Sequence, residues 1–504
     1  MWDRRALVRA ALVTAVARIT TPVSASAAGK PVLRDDPFTL GVASGDPRNT
    51  GFVIWTRLTG IDDAVTVQWE LALDNAFRQI VRTGEALAHP HRGHSIHVEL
   101  DHLLPGRPYF YRFHCQGATS RVGRCATITA DPKALRLALT SCQHWEQGWF
   151  TAYRDMITNA PDAVVHVGDY IYEKSFGEGP DVRTFGASDP VTLPEYRARY
   201  ALYRSDPDLS EAHAQLPFIV TWDDHEVEND YAGAQGVETI DADSFFKRRA
   251  AAYQAFFEHM PIAPRRLLPG GGIQLHRSFR WGSLASLHML DTRQYRSPQA
   301  CSRGGAVVGP CAERDDPARS MLGMDQEDWL RRALASDRSQ WTLVGQQTLV
   351  ASLALPQGPD IVYSDIWDGY PAARSRLLDA LSQPSVSNPV ILSGDVHSFW
   401  LNDVYRQSQD QTGPVVANEI VTSCLASRSG PEALFATAKR LNPHVRFMDN
   451  NHSGYALIDL TSNALDVRFR AVSSIANRHA ECSTLQTARL QAGDRAFKLS
   501  GDVV

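Results

Sequence analysis

Four short apolar runs, far apart in the chain, each end in a cluster of polar residues, and this repeated arrangement limits the fold more than any other feature. The runs are Leu135 to Thr140, Ala163 to Val167, Phe218 to Thr221 and Val390 to Leu392. They are rich in β-branched residues and bounded by turn or charged residues, the pattern expected of strands buried on both faces. The clusters that follow are Ser141-Cys142-Gln143, Gly168-Asp169-Tyr170-Ile171-Tyr172, Trp222-Asp223-Asp224-His225-Glu226 and Gly394-Asp395-Val396-His397. In sheets of this kind ligands gather just beyond the strand ends. Carboxylate, imidazole, thiolate and phenolate would then converge from four distant segments, and so much buried negative charge calls for a cation.

The rest of the chain divides into two regions. Between Phe38 and about Ala130, Phe52 to Thr56, Val65 to Leu71, Ser95 to Leu100 and Tyr109 to Phe113 alternate or run apolar, with turn signals at Gly45-Asp46-Pro47 and Leu104-Pro105-Gly106. Short strands without helices predict a sandwich. Beyond Asp131-Pro132-Lys133, strands alternate with helical spacing at Trp149 to Asn159, Leu193 to Tyr203, Ser244 to His259, Asp325 to Ser336 and Ala372 to Leu381. That predicts a large α/β domain, with Gly177 to Gly186 and Ser297 to Met321 as long surface loops fit for the rim of a site.

The first residues stand apart from the fold. Asp3-Arg4-Arg5 opens a weakly apolar stretch to Ile19, and Ala25-Ser26-Ala27 offers a small-residue cleavage site, as in an exported precursor. An arginine-rich start or an organelle-targeting peptide is the alternative. No other apolar run approaches the roughly 20 residues needed to span a bilayer. With 504 residues, 21% of them charged, and a net charge of -5, the chain has no basic excess pointing to nucleic acid or an anionic membrane. Seven cysteines are present, and Cys115 with Cys125 and Cys301 with Cys311 are close enough to close small loops in an oxidising compartment; of the other three, Cys142, which follows a buried strand beside the other clusters, is the candidate ligand.

The clusters resemble those of the calcineurin-like metallophosphoesterases, with departures. Ser141-Cys142-Gln143 stands where Asp-x-His is usual, Asp224-His225 where Asn-His is usual, and Asp395 replaces the first histidine of the last motif. These departures resemble one branch, the alkaline phosphatase D (PhoD-type) family. Its marks are the Gly168 to Glu173 run, the Trp222 to Asn229 run, Gly394-Asp395-Val396-His397-Ser398, Gly41 to Pro47, Trp55-Thr56-Arg57, Leu290 to Tyr295 and Met321-Leu322-Gly323. The resemblance implies a twin-arginine signal over residues 1–27, exported by the twin-arginine machinery to the periplasm or medium. It implies an all-β fibronectin- or immunoglobulin-like sandwich over 37–130. Over 135–480 it implies an α/β metallophosphoesterase core of mixed β-sheets flanked by helices.

It further implies hydrolysis of phosphate esters with Fe3+ and Ca2+. Cys142, Asp169, Tyr172 and His397 would surround the iron, and Asp169 would bridge to calcium held by Asp224, Asn229 and Asp395, with Asp223 as the alternative to Asp224. Thiolate and phenolate suit a trivalent transition metal, and an all-oxygen set suits calcium. Cations would lower the pKa of a bound water so that hydroxide attacks phosphorus in line. His225 would protonate the leaving alkoxide, or be a structural histidine satisfied by Asp223 or Glu226. Arg293 would orient phosphate, or form an ion pair with Asp291 or another carboxylate. Tyr170 should point to the opposite face and pack. His89, His91 and His94 form an exposed-looking loop with a second metal site as the less favoured reading. Small phosphate mono- and diesters are both candidate substrates, with a phospholipase D-like diesterase as the near rival. A non-catalytic, metal-stabilised binding protein is the rival of a different class.

Overall fold

The computed structural model describes residues 36–500 apart from 178, 180, 359 and 407–412. The expected export signal lies outside the described residues. Two mixed sheets pack face to face. The first, ten-stranded among the described residues, is built around the parallel strands Ala134–Thr140, Ala163–His166 and Pro217–Val220. The second, seven-stranded, is built around the parallel strands Ala285–Met289, Trp341–Gly345, Pro389–Ser393 and Val415–Val421.

The central strands of both sheets are buried on both faces, as the apolar runs predict. In the first strand Leu135, Leu137 and Leu139 enter the core between the sheets, while Ala138 faces the outer helices. Alternation of this kind follows from the two-residue period of a strand. Helices Ala152–Asn159, Leu193–Arg204, Pro207–Gln215 and Ala242–His259 cover the outer face of the first sheet. Met324–Ala335 and Pro371–Leu381 cover that of the second. Helix Pro207–Gln215 was not expected, although Asp206-Pro207 is a start signal: Asp206 Oδ1 accepts the N–H groups of Asp208 and Leu209 at 3.0 and 3.1 Å.

Residues 36–130 form strands that pack around one apolar cluster including Phe52, Ile54, Leu71 and Tyr111. At the expected turn Leu104-Pro105-Gly106, the Tyr109 hydroxyl accepts from Leu104 N at 3.0 Å. Two expectations are corrected here. Gly45-Asp46-Pro47 is no turn but lies within strand Val42–Arg48, where a bulge and a positive φ of 46° at Asp46 absorb the irregularity. That strand pairs in parallel with Pro217–Val220, and strands Gly51–Arg57 and Ser95–Leu100 extend the same sheet. The N-terminal region thus shares a sheet with the core.

The second correction concerns cysteines. Cys301 and Cys311 are bonded, but Cys115 and Cys125 are free and buried. Strand register is the reason: Cys125 lies opposite Tyr109 and Cys115 opposite Ala118. Six residues along a strand separate the thiols by roughly 20 Å, far beyond disulfide reach.

Candidate active site

The four clusters meet where the two sheets' central strands end. Two glycines permit this closeness. A Cβ on Gly168, whose φ is 119°, would lie 2.4 Å from Cβ of Asp223, and one on Gly394 would lie 2.4 Å from Oγ of Ser141. Four expected ligands turn sharply out of their strands with positive φ: Cys142 (55°), Asp169 (56°), Asp395 (69°) and His397 (50°). Such conformations cost non-glycine residues on the order of 1–3 kcal/mol each and gather at functional sites.

Donor atoms of Cys142, Asp169 and His397 lie within 4.8 Å of one another, and so do carboxylate oxygens of Asp169, Asp223, Asp224 and Asp395. Asp169 belongs to both groups. The Tyr172 hydroxyl joins the first, 3.0 Å from Asp169 Oδ2 and 3.0 Å from His397 Nε2. His397 Nδ1 donates to the Arg428 carbonyl at 2.6 Å, which fixes the tautomer and leaves Nε2 with a free lone pair. Burial lowers the His397 pKa to about 4, favouring that neutral ring.

The site's charge is unbalanced as it stands. Burial, then the neighbouring Asp169 carboxylate, pushes the Cys142 thiol and the Tyr172 phenol well above their usual ranges. Burial and Asp224 raise Asp395 to about 6. Burial, which outweighs the lowering influence of His225, also raises Asp169 well above a normal carboxyl. Among the described residues, Asp169 Oδ1 and Asp224 Oδ1 are buried without a hydrogen bond, the nearer cation to Asp224 Oδ1 being Arg293 Nη2 at 3.6 Å. Unsatisfied buried carboxylate oxygens beside a thiol, a phenol and an imidazole fit the expected metals: one mixed S, N and O pocket, one all-oxygen pocket, and a shared aspartate.

His225 sits beside them, a ring nitrogen within 4.8 Å of carboxylate oxygens of Asp169 and Asp224. Its Nδ1 pairs with Glu173 Oε2 at 2.7 Å. This corrects the expected partners, Asp223 and Glu226. Glu226 instead accepts the backbone N–H groups of Asp169, Tyr170 and Asp223 at 3.1, 2.6 and 2.8 Å, clamping two clusters together. Asp223 is held by Arg293 Nε at 2.5 Å. Arg293 also donates to Asp365 Oδ1 at 3.0 Å and is fully buried, so the ion-pair reading holds for this residue, with Asp223 and Asp365 as partners in place of Asp291.

Asn229 is half-buried at the site's edge, its backbone N–H donating to Glu173 Oε1 at 2.9 Å. Tyr170 packs away as expected, its hydroxyl 2.8 Å from His213 Nε2. His89 and His91 stack on each other, His94 contacts the Asp63 carbonyl, and none of the three joins a metal-capable group among the described residues.

Two face-to-face mixed sheets with helices outside, and the site at their strand ends, define a metallophosphoesterase-like core. Fold similarity extends to a purple acid phosphatase from yellow lupin (Lupinus luteus) seeds, with a TM-score of 0.55 at 12% identity over 89% of this chain and 74% of that one. The PhoD-like phosphatase family model matches residues 137–469, and that of the PhoD-like phosphatase N-terminal domain matches 24–129. The chain belongs to the PhoD-like phosphatases, a family of phosphoric ester hydrolases. It is 40% identical over 467 residues to alkaline phosphatase D of Bacillus subtilis (strain 168), covering 89% of this chain and 80% of that relative. A solved structure of PhoD superposes with a TM-score of 0.89 at 37% identity, over 94% of each chain.

Proposed function

We propose that this phosphatase is an exported, metal-dependent hydrolase of small phosphate mono- or diesters. It would hold Fe3+ with Cys142, Asp169, Tyr172 and His397, and Ca2+ with Asp169, Asp224, Asn229 and Asp395. The observation that carries this reading is the position of Asp169, common to both donor groups and with a buried, unsatisfied Oδ1. Bound cations would supply Lewis acidity toward the phosphoryl oxygens and acidify water. The chain's own contribution is positional. Glu226 fixes the backbone of the two aspartate clusters, Arg293 keeps Asp223 in place, and Glu173 holds Nδ1 of His225. With Nδ1 engaged, Nε2 is the nitrogen available to donate a proton to the departing alcohol oxygen.

Export rests on Arg4-Arg5 and on the Cys301–Cys311 bond, which suits an oxidising compartment. Among the described residues no helix is long and apolar enough to cross a membrane. Residues 37–130 are read as the fibronectin-like sandwich domain and 135–480 as the catalytic domain.

The test is metal analysis of the mature protein together with assays on phenyl phosphate and bis(phenyl) phosphate. Iron and calcium with turnover of either ester are expected. Zinc alone in fully active protein would refute the metal assignment, and no turnover of either ester would refute the catalytic reading and leave the binding protein.

A further inference from the structure

Phe176 is the exposed member of an otherwise buried group of rings. It is 37% exposed, against 7% for His225 and 1% for both His144 and Tyr172. Its centroid lies 5.7 Å from that of His225, with the two rings perpendicular, and 5.6 and 6.1 Å from those of His144 and Tyr172. Lys174 Nζ, paired with Glu238 at 2.5 Å, is 5.6 Å from the same centroid. The ring therefore packs against His225, His144 and Tyr172 while a third of it remains open to solvent. A single exposed phenylalanine is ordinary; one fixed against the proposed proton donor has a defined neighbour in the reaction.

In hydrolysis the P–O bond to the alcohol breaks and water supplies the new one. The alcohol oxygen takes the proton of His225, and solvent later restores it. The leaving oxygen must then lie at His225, and Phe176, 5.7 Å from that ring and partly exposed, is a neighbouring surface on which the attached carbon skeleton can rest. We propose that Phe176 is a specificity-determining residue that receives the leaving group and selects esters of apolar, planar alcohols. This rests on the reading of His225 as the proton donor. Contact between two aromatic rings is worth about three- to tenfold in binding beyond the area removed from water, and a small hydrophilic alcohol gains none of it.

The test compares benzyl phosphate with 2-methoxyethyl phosphate, whose alcohols are of similar acidity, so that their need for a proton is matched. Both are assayed on the same preparation of full-length mature protein, so any loss of folded enzyme cancels in the ratio of their kcat/KM values. Wild type should prefer the benzyl ester. In Phe176→Ala the ratio should fall about three- to tenfold, and in Phe176→Trp it should be kept. An unchanged ratio in Phe176→Ala, or an equal loss in Phe176→Trp, overturns the proposal. Wild-type protein that hydrolyses neither ester removes the catalytic reading beneath it, a result distinct from an altered or unaltered ratio.

Discussion

Glu173 Oε2 stands 2.7 Å from His225 Nδ1, and the two groups reverse what burial alone would do to each. Burial would lower the histidine and raise the glutamate. Instead Glu173, with Asp224 and Asp169, holds His225 well above its ordinary 6.5, and His225 brings Glu173 from 4.5 to about 2. The raised histidine contributes stability that is complete below 6.5 and lost as pH rises through its folded pKa. The depressed glutamate contributes stability that is complete above 4.5 and lost as pH falls through about 2.

Glu173→Gln should therefore lower the pKa of His225 in the metal-free protein and destabilise it by about 2 kcal/mol between those limits, the scale of a charged hydrogen bond. Ring-proton NMR titration and denaturation at several pH values check this. An unmoved His225 titration would mean that the pair does not set its charge.

His225→Ala should lower turnover by roughly 10²-fold or more on esters of weakly acidic alcohols and by much less on nitrophenyl esters. Metal content should change little, while the melting temperature should fall because Glu173 is left buried without its counter-charge; the dependence on the leaving group, not stability, carries the catalytic role. A uniform loss across all esters would identify a structural histidine.

Ferric iron bound by thiolate and phenolate absorbs visible light by charge transfer from both. The purified protein should be coloured, and Tyr172→Phe should weaken and shift the band while iron remains. Removal of calcium by a chelator should abolish activity reversibly without bleaching. Unchanged absorption in Tyr172→Phe would take the tyrosine out of the ligand set.

Arg293→Met leaves Asp223 buried without its counter-charge, while Asp365 keeps Arg296 Nη1 at 3.1 Å. Breaking a buried pair from one side costs about 3–5 kcal/mol. The loss, read by denaturant midpoints, should be smaller with calcium present, because a cation bound by the neighbouring carboxylates restores part of the balance and favours the folded state.

Replacing both Arg4 and Arg5 with Lys should leave precursor in the cytoplasm, as judged by fractionation and immunoblotting. Secretion at the normal level would point to another export route.

The sequence made the centre of this site readable because each ligand cluster adjoins a run that could only be a buried strand. Asp169, Asp395, His397 and Cys142 are legible for that reason. The groups that hold them are less so. Glu173 stands beside Tyr172 in a motif already singled out, yet its partner is 52 positions away in the chain, and adjacency suggested Glu226 instead. Asp365 lies just beyond the two-residue strand Val362–Tyr363 but belongs to no recognised motif; only the fold places it against Arg293. Of the two expected cysteine pairs, Cys301–Cys311 formed and Cys115–Cys125 failed through register: nearness along the chain is not nearness across a ladder when the strand between the residues is extended. Strand Val42–Arg48 was masked by residues that normally mark turns, since its irregular stretch is accommodated by a bulge.

Ser44 and Gly45 of that strand pair with Pro217 and Phe218. During synthesis the early strand emerges long before its parallel neighbour exists, and its hydrogen-bonding edge must wait. Closing so large a loop is entropically slow, and long-range parallel pairing is late in folding. The N-terminal region can gather its own apolar cluster early, but its seam with the catalytic core closes only after the strand leading to Asp223, Asp224 and His225 is made. Completion of the sheet and completion of the site are therefore tied to the same segment of chain.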